Sequence, residues 1–215
     1  MYHTILFDLD GTLTDPGEGI TNSVAYSLRH YGIEVPDRAE LYKFIGPPLY
    51  ESYMKYYGFD EQTAHEAVEV YREYYRPRGI FENRVYDGIP ELLAALKSAG
   101  KRLLVATSKP EGFSRQILEH FDLIQYFDFV AGSTLDSSRV LKADVIRHAL
   151  TRTGLTPGEG LVMVGDREHD VLGAAECGLP CVGVLFGYGS RRELESAGAA
   201  AIAATVAELG ELLLG

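Results

Sequence analysis

The sequence predicts an α/β protein, a doubly wound parallel sheet interrupted once by a helical unit. Three observations predict it. Short apolar runs without alternation recur at residues 4–9, 102–106, about 127–131, 161–164 and 181–185, and runs of that kind suit strands buried on both faces. Helical patterns separate the later runs, which is the alternation of βαβ units. Between the first and second runs, from about residue 16 to 83, no strand pattern occurs, and ten of the fourteen tyrosines gather there. That shift in composition marks a separate unit.

The elements follow in order. The first run ends in acids and a glycine, Asp8, Asp10 and Gly11. In the insertion, Ile20, Val24, Leu28 and Tyr31 form one stripe closed by Gly32, and Ala64, Val68, Tyr71 and Tyr75 form another; both have helical spacing. The tyrosines read as packing residues between these helices. After the insertion, Ile89, Leu92, Leu93 and Leu96 share a helix face, with Pro90 at its start and Gly100 just past its end. Pro110 opens a further helix carrying Phe113, Ile117, Leu118 and Phe121 on one side. The alanine-rich end, residues 197–215, reads as a last short strand and a closing helix. The expected division is a Rossmann-like core of residues 1–15 and 84–215 with an inserted helical domain of residues 16–83.

Composition narrows the function classes. At 215 residues, with 46% apolar and 24% charged side chains, the chain suits one ordinary domain with a small insertion and is too apolar for a disordered tail. Cys177 and Cys181 are too few for a disulfide framework and suit a reducing cytosol; flanking Gly178-Leu179-Pro180, they read as small buried apolar residues and not as metal ligands. No run approaches the ~20 apolar residues of a membrane span. The opening MYHTILFDLDGT lacks the basic start and apolar stretch of a secretion signal, so the expected location is the cytoplasm. A net charge of −11 argues against nucleic acid and membrane surfaces as partners held by general attraction.

Four short patterns carry chemistry. Asp8-Leu9-Asp10-Gly11-Thr12 leaves the first strand with two carboxylates at i and i+2, and Gly11 permits the turn that brings both to one place. Gly165-Asp166-Arg167-Glu168-His169-Asp170 leaves the fourth strand the same way. If those strands are neighbours, Asp8, Asp10, Asp166 and Asp170 converge at their carboxyl ends, where ligands bind in such sheets. Four carboxylates would repel one another; a hard divalent cation resolves this, and an oxygen-only set suits Mg²⁺. Four of the eleven excess negative charges then belong to the metal's own cradle. Thr107-Ser108-Lys109-Pro110 follows the second strand, and its hydroxyls and amides at a helix N-terminus would make an anion site. Lys142 precedes a helical run; alone it reads as a surface charge, and the other three patterns lend it weight.

These patterns, in this order, resemble the four motifs of the haloacid dehalogenase superfamily. The insertion resembles that superfamily's C1-type cap. Lys43-Phe44-Ile45-Gly46-Pro47-Pro48-Leu49, Val85-Tyr86-Asp87-Gly88-Ile89 and Ser138-Arg139-Val140-Leu141-Lys142-Ala143-Asp144 are similar to the phosphoglycolate phosphatase and bacterial 5′-nucleotidase branch. Where many relatives carry Lys-Pro, this chain has Lys142-Ala143. The resemblance implies a Mg²⁺-dependent phosphatase acting on a small phosphorylated metabolite, 2-phosphoglycolate or a nucleoside 5′-monophosphate. It implies Asp8 as nucleophile and Asp10 as general acid and base. Asp8, the backbone carbonyl of Asp10, Asp166 and Asp170 would hold the metal, with Asp170 a direct or an indirect ligand. Thr107, Ser108, Lys142 and Gly11 would bind phosphate. Asp10 argues against chloride release, since dehalogenases lack that second aspartate. Lys43, Gly46, Pro47 and Arg78 are the insertion's candidates for substrate contact, while Glu18 reads as the leading residue of its first helix. A phosphomutase of the β-phosphoglucomutase kind and a non-catalytic regulatory protein are the rival readings. The oligomeric expectation is a monomer or a homodimer.

Overall fold

In the computed structural model, described for residues 1–135, 138–158 and 160–215, the elements run β1 (Thr4–Phe7), β2 (Thr14–Asp15), α1 (Gly17–His30), α2 (Leu49–Tyr57), α3 (Glu61–Tyr74), β3 (Arg84–Val85), α4 (Ile89–Ser98), β4 (Arg102–Pro110), α5 (Glu111–His120), β5 (Phe129–Ser133), α6 (Lys142–Thr153), β6 (Leu161–Gly165), α7 (Glu168–Glu176), β7 (Cys181–Val184), α8 (Arg191–Ala197), β8 (Ala201–Ala203) and α9 (Val206–Leu214). Contacts divide the chain into two units, Met1–Thr14 with Val85–Gly215, and Asp15–Arg84.

The first unit is a six-stranded sheet in the order β5-β4-β1-β6-β7-β8, parallel throughout. Phe7 at the end of β1 is in register with Val105 of β4 on one side and Val164 of β6 on the other. Because successive strand residues face opposite ways, Leu6 joins a core with Ala106, Met163, Val145, Ile146 and Val171 beneath α6 and α7, while Ile5 and Phe7 are buried on the other face. Every residue of β1 and β6 is buried, as expected of central strands in a sheet covered on both sides.

Several strand boundaries depart from the sequence reading, chiefly at the first and third strands and at the end of β4. The first strand stops at Phe7, not at residue 9, because the Leu9 carbonyl closes a turn, accepting the amides of Thr12, Leu13 and Thr14 at 3.2, 2.9 and 3.0 Å. The strand expected at 127–131 lies at Phe129–Ser133, after a short 3-10 turn at Ile124–Tyr126. Asp128 fixes that offset: its amide donates to the Leu103 carbonyl at 2.8 Å, and its Oδ2 accepts the Leu103 amide at 3.0 Å.

The second unit is helical. Ile20, Val24 and Leu28 of α1 are buried, as are Ala64, Val68 and Tyr71 of α3; Ser27 donates to the Ala67 carbonyl at 2.8 Å between these helices. A π-helical turn at Tyr75–Gly79 follows α3. There α1 passes so closely that a Cβ on Gly19 would lie 1.8 Å from the Gly79 carbonyl oxygen. Among the described residues no helix is long and apolar enough to cross a membrane.

Candidate active site

The sheet reverses its winding at β1: the later strands β4 and β5 lie on one side, β6 to β8 on the other. In open α/β sheets the binding crevice lies beyond the carboxyl ends of the strands at such a reversal. Asp8 stands there. Its amide continues the ladder to the Val164 carbonyl at 2.9 Å, and its Oδ1 accepts the Leu9 amide at 2.8 Å.

The next turn depends on Gly11, at φ +81, where a Cβ would fall 2.3 Å from Oδ2 of Asp166. Glycine therefore supplies both the left-handed conformation and the close approach. Asp166 follows β6, and its Oδ2 accepts the Tyr188 amide at 2.8 Å. Asp170 lies in the first turn of α7, with Oδ2 accepting the Arg167 amide at 3.1 Å. Carboxylate oxygens of Asp8, Asp166 and Asp170 lie within 4.8 Å of one another.

Lys142, the first residue of α6, reaches into this cluster. Its Nζ is 3.0 Å from Asp8 Oδ1 and 2.7 Å from Asp170 Oδ1, and it donates to the Ala106 carbonyl at 3.1 Å. Gly173 makes room for it, since a Cβ there would be 2.8 Å from the Lys142 Cβ. Asp8 and Lys142 are each 6% exposed, Asp166 and Asp170 1%, so these charges meet with little water between them.

Three carboxylates against one ammonium leave a formal charge of −2. Burial, and then the Asp170 and Asp8 carboxylates, push Asp166 well above the ordinary carboxyl range. Burial also raises Asp170, to about 6, against the pull of Lys142. Burial draws Lys142 down, yet Asp170 and Asp8 outweigh it and hold the ammonium above its usual value. Oδ1 of Asp166 is buried without a hydrogen-bond partner among the described residues. An orphaned oxygen, an all-oxygen donor set and two uncompensated negative charges fit a hard divalent cation.

Asp10 is not part of that cluster through its side chain. Its Oδ2 lies 2.5 Å from Nζ of Lys109, and both side chains are largely buried. Burial raises the Asp10 carboxyl, and the Lys109 charge and hydrogen bond only partly oppose it.

Thr107 is buried at the end of β4, and its Oγ1 accepts the Lys109 amide at 3.2 Å; Ser108 is half-buried beside it. The helix expected from Pro110 is present, with Pro110 as its N-cap, but Thr107 and Ser108 lie in the strand ahead of it. Residues 107–110 extend β4, and α5 begins only at Glu111, because the strand carries on past an irregularity to pair Pro110 with Ser133.

One feature escapes a reading of the sequence. Lys109 looks like ordinary loop punctuation, and its partner lies 99 positions away, brought close because β4 adjoins β1. The loop after β7, Gly187-Tyr188-Gly189-Ser190, reads in the sequence as a loop and helix cap at the mouth of the site, and Ser190 provides the cap by accepting the Glu193 amide at 3.1 Å. It also wraps Asp166: a Cβ on Gly187 would lie 2.2 Å from the Gly11 carbonyl, and one on Gly189 1.8 Å from that of Asp166. Arg167 ties this loop down, with Nε 2.8 Å from Glu193 Oε1.

The insertion's candidates lie in the second unit. Lys43 Nζ sits 4.6 Å from the Tyr56 ring centroid, Gly46 has φ +103, and Pro47 is half-buried next to it. Arg78 is exposed, 5.9 Å from the Tyr74 ring. Glu18 is exposed in the first turn of α1. Cys177 and Cys181 are buried free thiols.

Residues 5–184 match the family described as haloacid dehalogenase-like hydrolase. The chain is 54% identical to a 5′-nucleotidase of Pseudomonas aeruginosa over 91% of this chain and 88% of that protein. It is 45% identical to the tyrosine-protein kinase PtkA of Mycobacterium tuberculosis, over 97% of this chain and 72% of that one. A crystal structure of a predicted phosphatase from Clostridium acetobutylicum superposes with a TM-score of 0.97 at 52% identity, covering 100% of this chain and 99% of that one.

Proposed function

Because this chain belongs to the haloacid dehalogenase-like hydrolases and is a phosphatase, we propose that it hydrolyses a small phosphomonoester through phosphorylated Asp8. The observation that carries the reading is the gathering of Asp8, Asp166, Asp170 and Lys142 in one buried cluster beside Asp10.

Asp8 attacks phosphorus, and the bond from phosphorus to the leaving oxygen breaks as the Asp8 oxygen–phosphorus bond forms. Asp10 gives its proton to the leaving oxygen; it then takes a proton from the water that attacks the phosphorylated Asp8, releasing inorganic phosphate and the free carboxylate. Lys142, Thr107 and the backbone at Ser108 take the phosphoryl oxygens and stabilise the charge spreading over them; Gly11, expected to join them, instead donates its amide to the Thr14 carbonyl at 2.7 Å and contributes the turn. Asp8, Asp166 and the Asp10 carbonyl, with Asp170, would hold Mg²⁺, which when bound offsets the carboxylates and the phosphoryl charge. The electropositive groups are local, so a chain of net charge −11 accepts an anion at this one place.

The substrate class is a small phosphorylated metabolite, with no nucleic-acid or membrane partner, handled in the cytoplasm by a monomer or homodimer. The similarity to a 5′-nucleotidase supports a nucleoside 5′-monophosphate ahead of 2-phosphoglycolate. Lys43, Gly46, Pro47 and Arg78 are the residues assigned to reading its leaving group.

The test is phosphate release over a panel of phosphorylated metabolites with Mg²⁺ and with EDTA. Turnover that requires the metal and vanishes in Asp8→Asn supports the reading; full activity in Asp8→Asn overturns it. Transfer to an acceptor hydroxyl instead of water is the second reading, favoured by the likeness to a protein named as a kinase and shared by mutases. Glucose 1-phosphate separates the two, since a mutase returns an isomer and a phosphatase returns free phosphate.

A further inference from the structure

Lys109 and Asp10 make a close ion pair, Nζ to Oδ2 at 2.5 Å, with side chains 6% and 12% exposed. The lysine is 99 residues from its partner in sequence, and its ammonium meets Asp10 because β4 lies next to β1. Its backbone is held from several sides. The Lys109 amide donates to Thr107 Oγ1 at 3.2 Å. Gly132 of β5 approaches so tightly that a Cβ there would lie 2.6 Å from the Lys109 carbonyl and 2.5 Å from the Glu111 amide. Arg139 pins Gly132 in turn, donating from Nε to its carbonyl at 2.8 Å. The other Asp10 oxygen, Oδ1, is buried and has no hydrogen-bond partner among the described residues.

We propose that Lys109 is the positioning residue of the general acid: by occupying Oδ2 of Asp10 it fixes the carboxyl rotamer and leaves Oδ1 as the oxygen that carries the transferred proton. The chemistry is that of a carboxylic acid with two unlike oxygens. The one facing an ammonium accepts a hydrogen bond and cannot also hold the proton without opposing two donors. Protonation therefore belongs on Oδ1. From there the proton passes to the leaving oxygen as the phosphorus–oxygen bond breaks and Asp8 takes the phosphoryl group. A carboxyl held in one orientation acts efficiently, since small misplacements of reacting groups cost heavily in rate. Without Lys109 the Asp10 carboxyl is free to turn, and both oxygens compete for the proton.

This inference rests on the phosphatase reading, and a comparison of leaving groups distinguishes failure of one from failure of the other. An alkyl phosphate, or a nucleoside 5′-monophosphate, needs its leaving oxygen protonated. p-Nitrophenyl phosphate releases a stabilised phenolate that departs without a proton. The quantity to compare is kcat/KM, which reads the steps through phosphoryl transfer to Asp8 and not the later hydrolysis. In Lys109→Met, kcat/KM for the alkyl ester is expected to fall about 10²-fold, the scale of a lost general acid, while that for p-nitrophenyl phosphate falls no more than about threefold. Both values come from one preparation, so a partly unfolded variant scales them equally and leaves their ratio intact. Lys109→Gln, one atom shorter but still a hydrogen-bond donor, is read the same way and is expected to lie between Lys109→Met and the native protein. Equal losses on both esters, or no loss on either, overturn the assignment of Lys109. Absence of phosphate release from both esters by the native protein overturns the phosphatase reading itself.

Discussion

Oδ1 of Asp170 lies 2.7 Å from Nζ of Lys142, with side chains 1% and 4% exposed. The same ammonium is 3.0 Å from Asp8, so one lysine serves as counter-ion to two of three clustered acids. Replacing it by methionine leaves those carboxylates unpaired in a dry site. Breaking a buried pair of this kind typically costs about 3–5 kcal/mol. Lys142→Met is therefore expected to lose about that much stability in urea titrations run in EDTA at neutral pH, and to release no measurable phosphate. Native stability in the variant would contradict the counter-ion role.

The raised carboxyls tie stability to pH. Asp166 and Asp170 bind protons in the folded state at pH values where the unfolded chain has released them. Unfolding then becomes easier as pH rises from the ordinary carboxyl value of 3.8 through the folded-state values, about 6 for Asp170. In EDTA, the Tm is expected to fall as pH rises from about 4 through about 6 and beyond, and Mg²⁺ to remove most of that fall by binding the ionised cluster. Asp166→Asn should flatten the slope in EDTA. A native protein whose Tm in EDTA rises over this interval would contradict the assignment.

The loop after β7 tests whether the position of Asp166 matters. A Cβ on Gly189 would lie 1.8 Å from the Asp166 carbonyl oxygen, so Gly189→Ala must push the loop or Asp166 aside. A displacement near 1 Å at such a site costs about 10²-fold in turnover. Gly112→Ala, whose added methyl meets nothing within 4 Å, is the matched control and should keep native kcat/KM. Phosphate release by the two variants is the measurement.

The helical unit has its own weak point. Gly19 and Gly79 bring two backbone segments together with no room for a methyl, since a Cβ on Gly19 would sit 1.8 Å from the Gly79 carbonyl. Overpacking of that kind costs about 1–3 kcal/mol. Gly19→Ala is expected to lower the unfolding free energy by that amount, read by denaturant titration followed through the tyrosines, ten of which lie in residues 16–83.

Much of the fold and site was legible because the signals are local. Asp8 and Asp166 each follow a run of buried apolar residues, and a carboxylate at the end of such a run has few places to go except the sheet's carboxyl edge. Lys142 and Asp170 became legible only in company, as a lysine or an acid opening a helix is commonplace. Lys109 was not legible, since its partner depends on β4 lying beside β1 rather than on any spacing in the chain. Nor was the reach of Gly187 and Gly189 over Asp166, which is set by how the β7 edge abuts β6. Thr107 lies inside β4 and not at the helix start itself: the pairing of Pro110 with Ser133 carries the strand up to Pro110, the N-cap of α5.

The central claim is that Asp8 becomes phosphorylated, and acid quenching during turnover followed by peptide mass spectrometry tests it most directly. The native protein is expected to yield the peptide containing Asp8 with one phosphoryl group. Asp10→Asn, which lacks the base for hydrolysis, should accumulate more of it on an ester with a good leaving group, and Asp8→Asn should yield none. Sustained phosphate release with Asp8 unmodified at every quench time would contradict the account.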